Sequence, residues 1–330
     1  MNKMKHIGMV LFVGTMFLGF SVGLASADNL SDIVFNDGRV INTSDMIEGP
    51  ESLSAAPFEG TAIDRLEALI DQGVSLEAPD VEAIANLEPA TSGIDTEGAE
   101  VVLGGWDTRT RHYTTDYPAN AVVLITSSIG VCTGWLTGPN TVITAGHCVH
   151  SGGPGGSWGS NFVVYPGYDQ GSPYGSCGWV GAASVLGWVN NRNEKFDYGA
   201  IKLNCTVGNT TGWFGFTKKR GKKKDPTRIT GYPGDKPRWT QWESADHVKV
   251  KQAKQVFYPN DTAGGMSGSP VWFDNTGKNI FTNGPYAFAI HAYGTHGSGP
   301  HNKYNHGTLI NKSVYNNILF WRNTWMESNR

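Results

Sequence analysis

A serine set between glycines is the first residue in this chain whose surroundings suit chemistry. It lies in Thr262-Ala-Gly-Gly-Met-Ser-Gly-Ser-Pro270, with Gly265-Met266-Ser267-Gly268-Ser269 at the centre. Glycines tolerate the tight, partly left-handed turn that lifts a hydroxyl outward, and they let a substrate carbonyl approach main-chain N–H groups. Those N–H groups, here of Gly265 and Ser267, can hold the oxyanion of acyl transfer. With 43 glycines among 330 residues, the pattern alone is weak. Two stretches upstream strengthen it. Thr144-Ala-Gly-His147-Cys148 follows the apolar run Thr141-Val142-Ile143, so a strand delivers a histidine. Phe196-Asp197-Tyr-Gly-Ala-Ile-Lys-Leu203 places an aspartate at the mouth of another strand. A serine hydroxyl needs a base, and the base needs a carboxylate that holds its tautomer and stabilises the imidazolium. Singly, a turn histidine and a strand-capping aspartate are structural. In the order His147, Asp197, Ser267 they predict a nucleophilic serine.

The elements that must carry these residues are strands. From Val101 onward short apolar, β-branched runs recur: Val122–Thr126, Thr141–Thr144, Phe162–Tyr165, Ala200–Leu203, Arg228–Thr230, His247–Val250, Gln255–Tyr258, Pro270–Phe273, Ala287–His291 and Gly307–Ile310. Gly, Pro, Asn and Asp clusters separate them, the pattern of an all-β domain. After Ser313, Val314, Ile318, Trp321 and Trp325 share one face of a closing helix. An α/β-hydrolase esterase also uses G-x-S-x-G, but its order is Ser, acid, His on alternating strands and helices. No helical periods alternate with the strands here. A binding module that has lost catalysis is the other rival, and none of the three signatures is missing.

The stretches CTGWLTGPNTVITAGHCV (132–149), FDYGAIKL (196–203), ITGYPGDK (229–236), DTAGGMSGSPVW (261–272) and AIHAYG (289–294) resemble the chymotrypsin superfamily, and within it the bacterial secreted glutamyl endopeptidases. The resemblance runs from about Val101 to the C-terminus. It implies two six-stranded antiparallel β-barrels with the triad at their seam and a C-terminal helix on the second. It implies an acyl-enzyme endopeptidase acting on proteins and peptides, with no cofactor. In that family a histidine and a threonine line the pocket for the residue before the scissile bond, and His291 and Thr262 match them. An imidazole there can receive a Glu carboxylate. Trypsin-like enzymes use an aspartate at the place of Asp261 to bind Lys or Arg, so basic specificity is the alternative; with His291 present, Glu is expected, and Asp less readily. The digestive enzymes carry an aspartate just before the nucleophile, where this chain has Met266. In the glutamyl family the freed amino terminus lies near the pocket instead, and Val101-Val-Leu103, preceded by Glu100, resembles that start.

Hydrophobic residues at 39% and charged residues at 17% describe an ordinary globular chain. Lys3 and Lys5, an apolar run from Ile7 to Leu24 and Ala25-Ser26-Ala27 read as a signal peptide cleaved after Ala27. A membrane anchor is the alternative. The small-residue site and the polar, acidic stretch after it favour cleavage, hence a secreted protein with no membrane contact afterwards. The domains expected are a signal peptide over 1–27, an acidic propeptide over 28–100 and the protease over 101–330. Charge divides the chain at the same place. Residues 28–100 hold seventeen acids against Arg39 and Arg65, a balance of −15, and residues from 101 onward balance to +10. An acidic propeptide that docks electrostatically is expected, with a disordered acidic tail as the plain alternative. Within it Thr61 caps a helix, Asp64 takes its third position, Ile63, Leu66, Leu69 and Ile70 share a face, and Gly73 ends it. Residues 88–100 read as an exposed linker.

Cys132, Cys148, Cys177 and Cys205 allow three disulfide pairings in an oxidising compartment. The resemblance implies Cys132–Cys148, and with it Cys177–Cys205. No C-x-x-C spacing supports a zinc site in their place. Lys218-Lys-Arg-Gly-Lys-Lys-Lys-Asp225 lacks interleaved aromatic residues, so it reads as a solvated loop that draws acidic substrates rather than a nucleic-acid site. His291, His296, His301 and His306 recur every five residues. Spacing in a glycine-rich loop does not fix a ligand geometry, so no metal is expected. Asn209-Thr-Thr211 and Asn260-Asp-Thr262 match glycosylation acceptors. A monomer is expected.

Overall fold

The computed structural model describes residues 29–46, 54–59, 66–93, 101–275 and 283–325. Alternating and β-branched runs form two antiparallel sheets. The first is ordered Val40–Ile41, Ile33–Phe35, Trp179–Val185, Gly199–Leu203, Thr141–Thr144, Gly130–Leu136, Val122–Ser127, Val163–Pro166. Six of these strands lie between residues 122 and 203, and a bridge from Val164 to Cys177 brings the edges of that set together. The second runs Val250–Lys251, Gln255–Tyr258, Asn305–Leu309, Gly284–Tyr293, Pro270–Asn275, Pro226–Gly231, Trp242–His247, Thr110–Arg111. Gly215–Thr217 joins it in parallel with Gly284–Tyr293. This is the expected chymotrypsin-like architecture. Its central strands are buried because their β-branched and aromatic side chains fill both faces, as with Val122, Val123, Leu124 and Ile125, all 0% exposed.

The closing helix spans Lys312–Asn323. Its cap is Asn311, whose side chain accepts from the Val314 N–H, so it starts earlier than the Ser313 expectation. Val314, Ile318, Trp321 and Trp325 are buried as expected, with Trp325 just past the helix end.

The described residues between 29 and 93 are not a loose acidic tail. Ile33–Phe35 extends the first sheet against Trp179–Val185, and Ser54–Ala55 pairs with Gly215–Thr217. Phe35 meets Trp325 edge-to-face at 5.2 Å. The indole of Trp239 donates to the carbonyl of Ile84 at 2.9 Å, and Arg238 donates to that of Leu87 at 2.7 Å. The Glu88–Arg238 ion pair is 3.5 Å long with Glu88 largely exposed, a weak tie. Among the described residues, apolar seating and bonds to main-chain carbonyls provide these contacts. The helix expected here covers Leu66–Asp71 and stops two residues before Gly73; Leu69 is buried, but Ile70 faces solvent at 59% exposure. Thr61, Ile63 and Asp64 lie outside the described residues. The linker expected from Glu88 is seated at its start: Ala90 is buried, and its N–H donates to Val131 at 2.9 Å. Residues 94–100 lie outside the described residues.

Candidate active site

The strand Thr141–Thr144 is sealed between Gly199–Leu203 and Gly130–Leu136 and ends in the short turn Gly146–Cys148, which carries His147. Asp197 follows the turn Glu194–Phe196, just ahead of Gly199–Leu203. Both side chains are buried. Asp197 Oδ1 accepts the main-chain N–H of His147 at 2.8 Å, and Oδ2 faces its Nδ1 at 2.7 Å. The hydroxyl of Tyr293 donates to the same Oδ2. Three donors thus satisfy a carboxylate cut off from water. A proton on Nδ1 fits this network, which leaves on Nε2 a lone pair able to accept a proton.

Ser267 sits between Gly265 (φ +96°) and Gly268 (φ +89°). A side chain on Gly265 would meet the Tyr232 carbonyl at 2.5 Å, and one on Gly268 would meet the Thr133 carbonyl at 2.1 Å. Both positions therefore demand glycine for conformation and for space. The Ser267 carbonyl accepts from the Thr133 N–H at 2.9 Å and lies 3.7 Å from Cys148 Sγ. Its hydroxyl is 3.5 Å from the Ala292 carbonyl. The Cys132–Cys148 disulfide (Cα–Cα 6.1 Å) joins the His147 turn to Gly130–Leu136, the strand whose Thr133 bonds the Ser267 carbonyl, and Cys177–Cys205 (5.9 Å) forms as well. Two neighbouring peptide planes are also fixed. Gly264 C=O accepts from Gly234 N–H at 2.7 Å, and Met266 C=O accepts from Ser269 N–H at 3.0 Å. In a trans peptide N–H and C=O oppose each other, so the N–H groups of Gly265 and Ser267 face away from those partners.

His291, on the strand Gly284–Tyr293, is buried with its Nδ1 2.9 Å from the Tyr258 hydroxyl. Thr262 is 0% exposed, and its hydroxyl has no hydrogen-bond partner among the described residues. Its N–H donates to the Val101 carbonyl at 3.4 Å, and the Asn305 amide donates to that carbonyl at 2.8 Å. Asp261 is buried and occupied: Oδ1 accepts from the Leu103 N–H at 2.8 Å, and Oδ2 from the Thr108 N–H at 2.8 Å and hydroxyl at 2.6 Å.

Sequence reasoning missed Tyr293, Tyr258, Asn305 and Thr133. Tyr293 stood inside a matched stretch, but its partner is 96 residues away and no local pattern announces it. Asn260, a match to a glycosylation acceptor, is 1% exposed and bonded to the Ser244 carbonyl and Thr227 hydroxyl, so it is closed to a glycan in the folded chain. The lysines at 219 and 222–224 are exposed, as expected of a solvated loop.

His147 follows the strand Thr141–Thr144 and Asp197 precedes Gly199–Leu203, both of the first sheet, while Ser267 precedes Pro270–Asn275 of the second. A model of the trypsin-like peptidase domain matches residues 132–280. The glutamyl endopeptidase of Bacillus licheniformis is 41% identical over 223 residues, 67% of this chain and 69% of that protein. A Bacillus subtilis protein named extracellular metalloprotease is 34% identical over 316 residues, 93% and 92% of the two chains. A solved structure of a Glu endopeptidase in complex with MPD superimposes with a TM-score of 0.59 at 27% identity, covering 67% of this chain and 99% of that one. The chain belongs to the glutamyl endopeptidase family and is a serine endopeptidase.

Proposed function

We propose that this endopeptidase is secreted, cuts after Glu through an acyl-enzyme and is made as an inactive precursor. Ser267 Oγ attacks the scissile carbonyl while His147 Nε2 takes its proton. Asp197 keeps the imidazole oriented and stabilises its charge, and the N–H groups of Gly265 and Ser267 receive the oxyanion. His147 then protonates the departing amine, and water repeats the sequence on the ester. Residues 1–27 serve as the signal peptide, 28–100 as the propeptide and 101–330 as the protease. No helix among the described residues is long and apolar enough to cross a membrane.

The Glu reading rests on one observation: the Val101 carbonyl is tied to Thr262 and Asn305, beside a buried Thr262 hydroxyl with no partner among the described residues. An amine freed at Val101 would bring a positive charge to a pocket that already holds His291 and a spare hydroxyl, a set suited to a carboxylate. The Lys/Arg alternative loses its anion, because Asp261 spends both oxygens on Leu103 and Thr108. The precursor reading draws on Pro89. Glu88 and Ala90 pair with Val131 through main-chain bonds of 2.9 Å. A side chain built on Gly264, next to Gly265, would lie 3.3 Å from Pro89. Residues 88–90 thus lie against the loop that must receive the oxyanion.

A set of peptides varied only at the residue before the scissile bond tests the specificity. Glu should be preferred strongly over Gln, Lys and Arg. Preference for Lys or Arg would return the pocket to Asp261 and end this reading.

A further inference from the structure

Three of the regularly spaced histidines converge on one carboxylate away from the triad. Glu194 Oε2 lies 3.2 Å from His296 Nε2 and 3.9 Å from His306 Nε2, and Oε1 lies 3.1 Å from His301 Nε2. The three imidazoles stand 4.9–5.2 Å apart, centroid to centroid. We propose that Glu194, His296, His301 and His306 form a four-ligand site for a zinc-class transition-metal ion.

Ligand atoms of Glu194, His301 and His306 lie within 4.8 Å of one another and His296 Nε2 stands 3.2 Å from the same carboxylate, a grouping that an ion would draw together. Metal–ligand bonds of about 2.0–2.1 Å put the corners of a tetrahedron about 3.3–3.4 Å apart. All three histidines present the same nitrogen, Nε2, to the carboxylate. Hydrogen bonds alone do not account for the group. His306 is fully buried, its Nε2 is beyond bonding distance of Glu194, and neither ring nitrogen has a hydrogen-bond partner among the described residues. Buried polar atoms are normally paired, and a metal would use that Nε2 lone pair. Phe257 and Tyr293 both stack on the His306 ring, at 4.9 and 5.1 Å, and limit water access. Three imidazoles and one carboxylate favour zinc over calcium, which takes oxygen ligands. The Cys132, His147 and Cys148 group is no rival, because its sulfurs are joined in a disulfide.

Four protein ligands fill a tetrahedral shell, which makes the ion structural, with no open position for a reacting water. Glu194 begins the turn that delivers Asp197, whereas His296 and His301 lie in the loop after Gly284–Tyr293 and His306 lies on the next strand, Asn305–Leu309. The ion would staple the second sheet to the turn behind the triad.

The test uses the full chain carrying Ser267→Ala to stop self-cleavage, stripped with chelator and titrated with Zn²⁺, Co²⁺ and Ca²⁺. One Zn²⁺ should bind per chain with submicromolar dissociation, and the thermal midpoint should rise by several degrees. Co²⁺ should give the intense visible bands of a tetrahedral centre, bleached by Zn²⁺. His301→Ala, at a partly exposed position, should weaken Zn²⁺ binding at least a hundredfold with the circular dichroism of the stripped protein unchanged; Glu194→Gln should weaken it as well. Absence of saturable one-to-one Zn²⁺ binding overturns the site. So does binding that survives both substitutions, or a preference for Ca²⁺.

Discussion

One oxygen of Asp261, Oδ2, accepts both the N–H and the hydroxyl of Thr108, at 2.8 and 2.6 Å. The other accepts the Leu103 N–H, so this carboxylate anchors Leu103 and Thr108. Asp261→Asn turns one acceptor into a donor opposite a buried donor, at a cost of about 1–3 kcal/mol. The expected outcome is a lower unfolding midpoint with Glu still preferred over Lys and Arg. Thermal melts and the peptide set described above check it; a change of preference on Asp261→Asn would show that the carboxylate reads substrate.

Ser267→Ala and His147→Ala should each lower kcat by roughly 10⁴-fold or more, because triad members act as a unit. Tyr293→Phe is a milder probe. It removes one of three donors to Asp197 and leaves both contacts with His147. A hydrogen bond to a charged group is worth about 1.5–3 kcal/mol, so kcat should fall roughly tenfold or somewhat more with KM little changed. Steady-state kinetics on a Glu substrate measure both, and an unchanged kcat would deny Tyr293 a part in holding the acid.

Activation can be tested at both sides of the proposed junction. Glu100 is the residue this enzyme should itself prefer, so Glu100→Gln should stall self-processing while externally cleaved protein stays active. A mature form extended by one residue before Val101 should lose Glu selectivity, chiefly in kcat/KM. At 4 Å a charge pair gives about 1 kcal/mol in bulk water and about 4 kcal/mol at an effective dielectric of 20, so the amine matters where water is excluded. If the extended form cuts after Glu as well as the native one, the amine has no role in recognition.

The barrel strands rich in valine, isoleucine and threonine were legible because those residues declare a pleated, buried surface. Gly130–Leu136 was missed because Gly130, Gly134 and Thr133 dilute its apolar run. Trp179–Val185 was missed because Gly181, Ala182, Ala183 and Ser184 are small, and Trp242–His247 because it is largely polar. His247–Val250, read as a strand, is the turn between Trp242–His247 and Val250–Lys251. The order His, Asp, Ser was readable from local signatures. The gathering of His296, His301 and His306 on Glu194 was not, since it depends on a carboxylate more than a hundred residues earlier in the chain. The seating of the described residues between 29 and 93 was hidden too, because composition reports charge and says nothing of which few apolar side chains find a socket.

The Cys132–Cys148 bond closes a loop of 16 residues between the strand behind Ser267 and the turn of His147. In the chain-entropy model a loop of that size contributes about 3 kcal/mol. Replacing both cysteines by alanine should therefore lower the unfolding free energy by an amount of that order, and the denaturant midpoint with it. Equilibrium unfolding of the pair on the Ser267→Ala background measures it, and an unchanged midpoint would show that the bond adds nothing to stability.

The last prediction concerns acid. Arg109, with its guanidinium almost wholly buried, forms paired bonds to Asp107 and Asp235, and Lys236 also donates to Asp107 Oδ2. Hydrogen bonds from Arg109, aided by Lys236 and opposed by burial, hold the Asp107 carboxyl well below the usual carboxylate range. A carboxyl depressed in the folded state lends stability that is fully present above its unfolded value, about pH 3.9, and is lost as pH falls through the folded one. The thermal midpoint should therefore fall on acidification below about pH 4, and Asp107→Asn should flatten that part of the curve while lowering the midpoint at pH 7. Asp37 with Arg39 provides the contrast, because that pair is far more exposed and exposed pairs contribute little. Asp37→Asn should leave both the neutral midpoint and the acid slope close to native. Melts from pH 2 to 7 on the three proteins, again on the Ser267→Ala background, decide the matter. Equal slopes for Asp107→Asn and the native chain would mean that acid sensitivity arises at other carboxylates.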